Sequence, residues 1–187
     1  MKKTLTAVLL SLTLATPVMA KDIAGVKYPD TATVNGKELK LNGVGLRKKA
    51  IFKVYTVGLY VETPSKDATQ ILNADEIKRV RMFMKRDLKK EQITEAIENG
   101  FKKNAGANLP KLQTRLDAFK AAIPAEIKEG EELILTYVPG KGTNVQTKGG
   151  QAIDVEGKDF ADALFSVWLG KDPVDGGLRD GMLGKDD

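Results

Sequence analysis

The chain contains no cysteine and no histidine. The first absence removes any disulfide framework and any thiolate nucleophile, so stability has to come from a packed core. The second removes the Ser-His-Asp triad, imidazole metal clusters and imidazole acid/base chemistry. Catalysis, if there is any, falls to arginine, lysine, tyrosine or carboxylates. Long apolar runs are missing too: beyond the first twenty residues no segment approaches about 18 consecutive apolar residues, the length that would suggest a membrane span.

Those first twenty, MKKTLTAVLLSLTLATPVMA, combine a basic start, a short apolar run and a small-residue site ending Val18-Met19-Ala20. They read as a secretory signal peptide cleaved after Ala20, which makes the expected mature protein residues 21–187, exported into a bacterial periplasm. Removal of residues 1–20 takes two lysines and no acid, lowering the formal net charge from +5 to +3. Charges of the two signs are interspersed. The densest basic piece, Lys78 to Arg86, alternates with apolar residues as a strand with one wet face does, and no nucleic-acid reader module accompanies it. Glu126, Glu129, Glu131 and Glu132 lack the spacing and glycine of a calcium loop, and Gly140-Lys141-Gly142-Thr143 lacks phosphate-loop spacing and reads as a hairpin turn. No metal and no cofactor is expected.

Along the mature chain strands come first. Residues 23 to 42 read as a hairpin turning at Asn35-Gly36, a dipeptide suited to positive φ, after which Gly43 and Gly45 break the pattern. A single strand is expected from Leu46 to Val61, then a short helix capped by Ser65, then a strand over 77–85. Two helices with one apolar stripe each follow, Lys90 to about Lys103 and Pro110 to Ile123. Gly100 inside the first allows close approach of another element or of a ligand, and close helix packing is the favoured reading. Strands return at 132–138, 144–148 and 152–155. A helix from Lys158 to Leu169 and a last short one opening at Asp172-Pro173 close the chain. No linker divides it. The pattern is one α+β domain, an antiparallel sheet covered by helices on one face.

Within this frame Asn42 to Glu62 carries the chemistry. On an unbroken strand Arg47, Lys49, Ile51, Lys53 and Tyr55 point to one side, so a guanidinium and a phenol share a surface. Such a pair can hold a carboxylate or an enolate oxygen, although a solvated arginine beside a half-buried tyrosine is the commoner meaning of those residues. Trp168, on the apolar face of its helix, is a core anchor that could also wall a cavity.

GVGLRKKAIFKVYTVGLYVE at 43–62 and FADALFSVWLGKDPVDGGLRDGMLG at 160–184, with the order of elements, resemble the chalcone isomerase-like proteins, in their exported bacterial form. The resemblance covers nearly all of residues 22–184. It implies an open-faced β-sandwich: a long antiparallel sheet backed by helices, with a ligand cleft between the layers. Arg47 resembles the arginine that activates substrate in plant chalcone isomerases and, with a tyrosine, holds the carboxylate in plant fatty-acid-binding relatives; Tyr55 resembles that tyrosine, where true isomerases have threonine. Asn99 in IENGF resembles the isomerase asparagine, which places Gln92 where the catalytic tyrosine belongs, and glutamine cannot act as its acid. The stretch between Arg47 and Tyr55 is also shorter than in the family.

The resemblance therefore implies a non-catalytic binder of a small amphiphilic acid such as a fatty acid. Arg47, Tyr55, Asn99 and Trp168 are the expected ligand-binding residues, with Ile93, Ile97 and Phe101 as further walls. Two alternatives stay open: an isomerase or intramolecular lyase acting on an enone-like substrate, with Arg47 stabilising an enolate, and a structural or interaction protein whose closed cleft leaves Arg47 paired to an internal carboxylate. A lined cavity separates binder from closed core. No stable membrane insertion is expected, and the oligomeric state is open.

Overall fold

A computed structural model describes residues 20–185. The expected leader, save for Ala20, lies outside them. In chain order the strands and helices are β1 (Ala20–Ile23), β2 (Val26–Pro29), β3 (Thr31–Val34), β4 (Lys37–Lys49), β5 (Phe52–Val61), α1 (Ala68–Asn73), β6 (Lys78–Met84), β7 (Leu88–Lys89), α2 (Lys90–Asn104), α3 (Leu109–Ala122), β8 (Glu126–Ile127), β9 (Glu132–Val138), β10 (Gly142–Thr147), β11 (Ile153–Val155), α4 (Lys158–Leu169) and α5 (Gly176–Met182). Seven strands form one antiparallel sheet in the order β11-β10-β9-β6-β5-β4-β3.

Side-chain period decides which face is covered. In β6, Lys78, Val80, Met82 and Met84 are buried while Arg79, Arg81 and Phe83 are only partly so, the alternation of a half-wet strand. The buried set meets the helical stripes: Ile93, Ile97 and Phe101 of α2, Leu112, Leu116 and Phe119 of α3, and Phe160, Leu164 and Trp168 of α4 belong to the same core. Gly100 serves helix packing, since a Cβ there would lie 2.7 Å from Val167 Cγ2 of α4. Phe101 is a correction to the expected cavity walls: its ring packs 5.5 Å from that of Phe160, deep between the helices.

The opposite face of the sheet is open except where the β1-β2 hairpin folds over it. Val26 and Tyr28 of β2 pack there with Leu39, Val44 and Tyr60. The Tyr28 ring occupies the space that a side chain at position 58 would need, which is why β5 carries Gly58.

Four expectations fail locally, each for a visible reason. Residues 46–61 are not one strand but two arms of a hairpin, with Lys49 opposite Phe52 across the turn Ala50-Ile51 and Ala50 in the left-handed region at φ 52°. Gly43 and Gly45 do not interrupt β4. They let α5 lie against it, a Cβ at Gly45 meeting the Leu178 carbonyl at 2.6 Å. The cap of α1 is Asp67, whose carboxylate accepts from Thr69 N–H, while Ser65 Oγ accepts from Asp67 N–H. The last helix opens at Gly176 behind Asp175 rather than at Asp172-Pro173, because Asp175 Oδ1 accepts from Leu178 N–H.

Candidate functional site

The hairpin brings Arg47 and Tyr55 together by a different route from an unbroken strand. They are direct cross-strand partners in the β4-β5 ladder, so their Cα atoms lie about 5 Å apart and their side chains leave the same face. The register slips immediately beyond them, from Arg47/Tyr55 to Lys48/Lys53, leaving Val54 as a bulge. Both Val54 and Tyr55 consequently line one cavity.

That cavity, about 150 Å³, lies between sheet and helices. Met82 of β6, Leu133 of β9 and Ile93, Ile97 and Val167 of the helices make it apolar. Trp168 also lines it, 2 % exposed, and donates its indole N–H to the Tyr55 hydroxyl at 3.1 Å. The hydroxyl's own hydrogen has no acceptor among the described residues. Burial pushes the Tyr55 phenol up to about 12; the Trp168 hydrogen bond and the Arg47 charge pull the other way, and Asp175 adds to the rise. Tyr55 is therefore a neutral hydrogen-bond donor across the physiological range, poorly matched to proton abstraction.

Arg47 stands at the mouth. One N–H of its Nη1 donates to Asp175 Oδ2 at 2.9 Å, the two side chains being 24 % and 26 % exposed. The remaining guanidinium N–H groups have no acceptor among the described residues, although arginine carries five donors. A partly exposed pair of this kind adds about 1 kcal/mol or less to stability. Its visible effect is orientation: Asp175 caps α5 with one oxygen and steadies Arg47 with the other.

An outer groove of about 430 Å³ shares Arg47, Lys49, Gln92, Ala96 and Val174 with the cavity. Gln92 caps α2, its Oε1 accepting from Lys89 N–H at 3.0 Å. Asn99 is exposed and lines this groove, not the inner cavity. Two acids line the groove, Asp172, paired with Lys103 at 3.2 Å, and the unpaired Glu95, against the cations Arg47, Lys49, Lys102 and Lys103, and Lys49 has no carboxylate partner among the described residues, so the mouth favours an anion. Arg47, Tyr55 and Trp168 thus meet at one site and Asn99 stands outside it.

Sequence reasoning missed Asp175 and the role of Met82 and Leu133. Asp175 precedes two glycines and could have been found as a helix cap; no local signal marks the two apolar walls. The acidic run is dispersed into ion pairs, Glu132 with Arg81 and Glu131 with Lys148. No helix among the described residues is long and apolar enough to cross a membrane.

A family model described as chalcone isomerase-like matches residues 20–184. Among solved structures the chain is similar to a fatty-acid binding protein of Arabidopsis thaliana, at 20% identity and a TM-score of 0.66, over 89% of this chain and 97% of that one. At that identity the likeness is one of fold. No curated protein matches the sequence.

Proposed function

The chain belongs to the chalcone isomerase-like family, and from that premise we propose that it is a non-catalytic binding protein for a small amphiphilic carboxylate of the fatty-acid class. The observation that carries the reading is the pairing of a partly free guanidinium with a buried phenol whose hydrogen has no acceptor among the described residues, at the edge of an apolar cavity. A carboxylate seated between them receives charge-assisted bonds from Arg47 and one bond from Tyr55, with Lys49 adding positive charge. Its chain then runs inward against Ile93, Ile97 and Met82.

Size sharpens the ligand class. A cavity near 150 Å³ suits a group of benzene's bulk, about six carbon atoms. At about 0.8 kcal/mol per methylene such a tail contributes on the order of 5 kcal/mol, against which the ordering of protein and ligand has to be set. Longer chains have to use the outer groove as well. The name of the Arabidopsis neighbour agrees with this class, and the signal-peptide pattern of residues 1–20 supports a periplasmic location.

The isomerase alternative draws less support from the site, because Gln92 at the mouth offers no acid and Tyr55, held protonated, offers no base. The closed-core alternative has one observation in its favour, the Arg47–Asp175 pair, and one against it, the unfilled cavity.

Native mass spectrometry with solvent extraction of the purified protein tests the proposal, comparing wild type with Arg47→Ala. A stoichiometric acid in the wild type that is lost in the variant is the expected result. A wild type that is empty and gains no mass with hexanoate or longer fatty acids overturns it.

A further inference from the structure

Among the described residues the two exposed large hydrophobic side chains are Ile51, 87 % exposed, and Phe52, 55 % exposed. They are neighbours at the tip of the β4-β5 hairpin and belong to neither hydrophobic core. Lys48 and Lys49 precede them, Lys53 follows, and no acid occurs between Arg47 and Val61. The turn after β6 adds Lys85 and Arg86: Lys85 N–H donates to the Val54 carbonyl at 3.0 Å, and the Arg86 guanidinium lies 5.2 Å from the Phe52 ring centroid. None of these five cations forms a salt bridge among the described residues. Beside that turn Glu131 pairs with Lys148, while Asp87, which accepts from Glu129 N–H, and Glu129 itself keep their charges, so the five cations outnumber the unpaired acids there.

We propose that this tip docks on an anionic lipid surface, with Ile51 and Phe52 in the headgroup-acyl boundary and the five cations against lipid phosphates. An apolar tip ringed by cations on long flexible stems is the composition that the bilayer interface rewards, through burial of the tip and attraction of each cation. A nucleic acid would use the cations and leave Ile51 in water. Lys49 belongs to both the tip and the mouth, so docking sets the mouth toward the bilayer, where an amphiphilic acid can pass between membrane and cavity. That last step rests on the cavity reading; the docking does not.

The lack of cysteine makes the test direct. Ile51→Cys, labelled with a polarity-sensitive fluorophore, is mixed with vesicles of phosphatidylglycerol and phosphatidylcholine in equal parts or of phosphatidylcholine alone, beside Lys66→Cys beyond the far end of β5. The expected result is a blue shift at position 51 only, with the anionic vesicles only, weakened by salt. In sedimentation of unlabelled protein, Ile51→Ser/Phe52→Ser and Lys48→Glu/Lys53→Glu each lower partitioning by on the order of tenfold. No binding to anionic vesicles, an equal shift at position 66, or binding indifferent to Ile51→Ser/Phe52→Ser overturns the proposal, the last reducing it to polyanion adsorption. Hexanoate titration without vesicles separates the two readings: a protein that takes hexanoate but ignores vesicles loses only the docking, and one that docks but takes no hexanoate loses only the cavity.

Discussion

Two arginine–tyrosine pairs lie on opposite faces of the same sheet. On the open face Arg81 sits 5.2 Å from the Tyr28 ring centroid; its guanidinium donates to Glu132 at 2.5 and 3.1 Å and to the Lys27 carbonyl, and the Tyr28 hydroxyl pairs with Thr56 at 2.8 Å. On the helical face, among the described residues, Arg47 makes one ionic hydrogen bond, and Tyr55 accepts one from Trp168 without donating any. Exposure does not tell them apart, the two arginine side chains being 25% and 24% exposed. Satisfaction does. The first pair is closed on itself and holds the β1-β2 hairpin down; the second keeps donors in hand beside unfilled space.

The largest effect expected from breaking this contrast comes from the closed side. Tyr28→Ala removes a fully buried aromatic from above Gly58 and should cost about 3–5 kcal/mol, read as a lower Tm, with hexanoate stoichiometry unchanged in the protein that stays folded.

Alkaline titration comes next. Burial raises both Tyr28 and Tyr55 from an ordinary value near 10 to about 12. Each therefore contributes stability that is fully present below pH 10 and lost as the pH climbs through 12, on the order of 3 kcal/mol per tyrosine. Lys78 runs the other way. Burial lowers it to about 8 although three carbonyls at the end of α1 accept from its Nζ, so the cost of its charge is relieved as the pH rises from 8 toward its ordinary value near 10.5. Denaturant melts at stepped pH should show a maximum near pH 10 and a steep fall above it. Tyr28→Phe and Tyr55→Phe should each flatten the fall, and a profile unchanged by either would contradict the burial argument.

On the open pair the effects move from stability to affinity. Arg47→Ala should weaken hexanoate by about 1.5–3 kcal/mol, ten- to a hundredfold or somewhat more, in calorimetric titration while shifting Tm little. Arg81→Ala should do the reverse. The smallest change is Tyr55→Phe, which deletes one donor and should cost the ligand about 1 kcal/mol with the fold intact. If Tyr55→Phe binds like wild type, the phenol is only a wall.

Much of the fold was legible because it follows from local periodicity. Strand β9 and helix α4 have the bounds that alternation and helical spacing predict, and Asn35-Gly36 turns with both residues at positive φ, 51° and 79°. The β4-β5 turn was illegible for an equally local reason. Ala50 adopts a left-handed φ that costs an ordinary residue about 1 kcal/mol, and nothing in Lys-Lys-Ala-Ile-Phe-Lys announces it. The ladder on both arms and the seating of β4 against α5 through Gly43 and Gly45 hold that turn. The site residues were only partly legible: Arg47, Tyr55 and Trp168 were named from their types and resemblance, whereas Asn99 faces the outer groove and Asp175 was not foreseen.

By itself the sequence determined the α+β class and most of the elements, the apolar stripe of each helix, the absence of thiol and imidazole chemistry, and the presence of a cation and a phenol close in the chain. Tertiary structure alone decided that Arg47 and Tyr55 are partners across a hairpin, that Asp175 takes one guanidinium hydrogen and leaves others, and that packing stops short of filling the space before Trp168. Periodicity is a property of neighbours along a chain. Unspent hydrogen-bond donors and empty volume are properties of what folding brings, or fails to bring, within a few ångströms of a side chain.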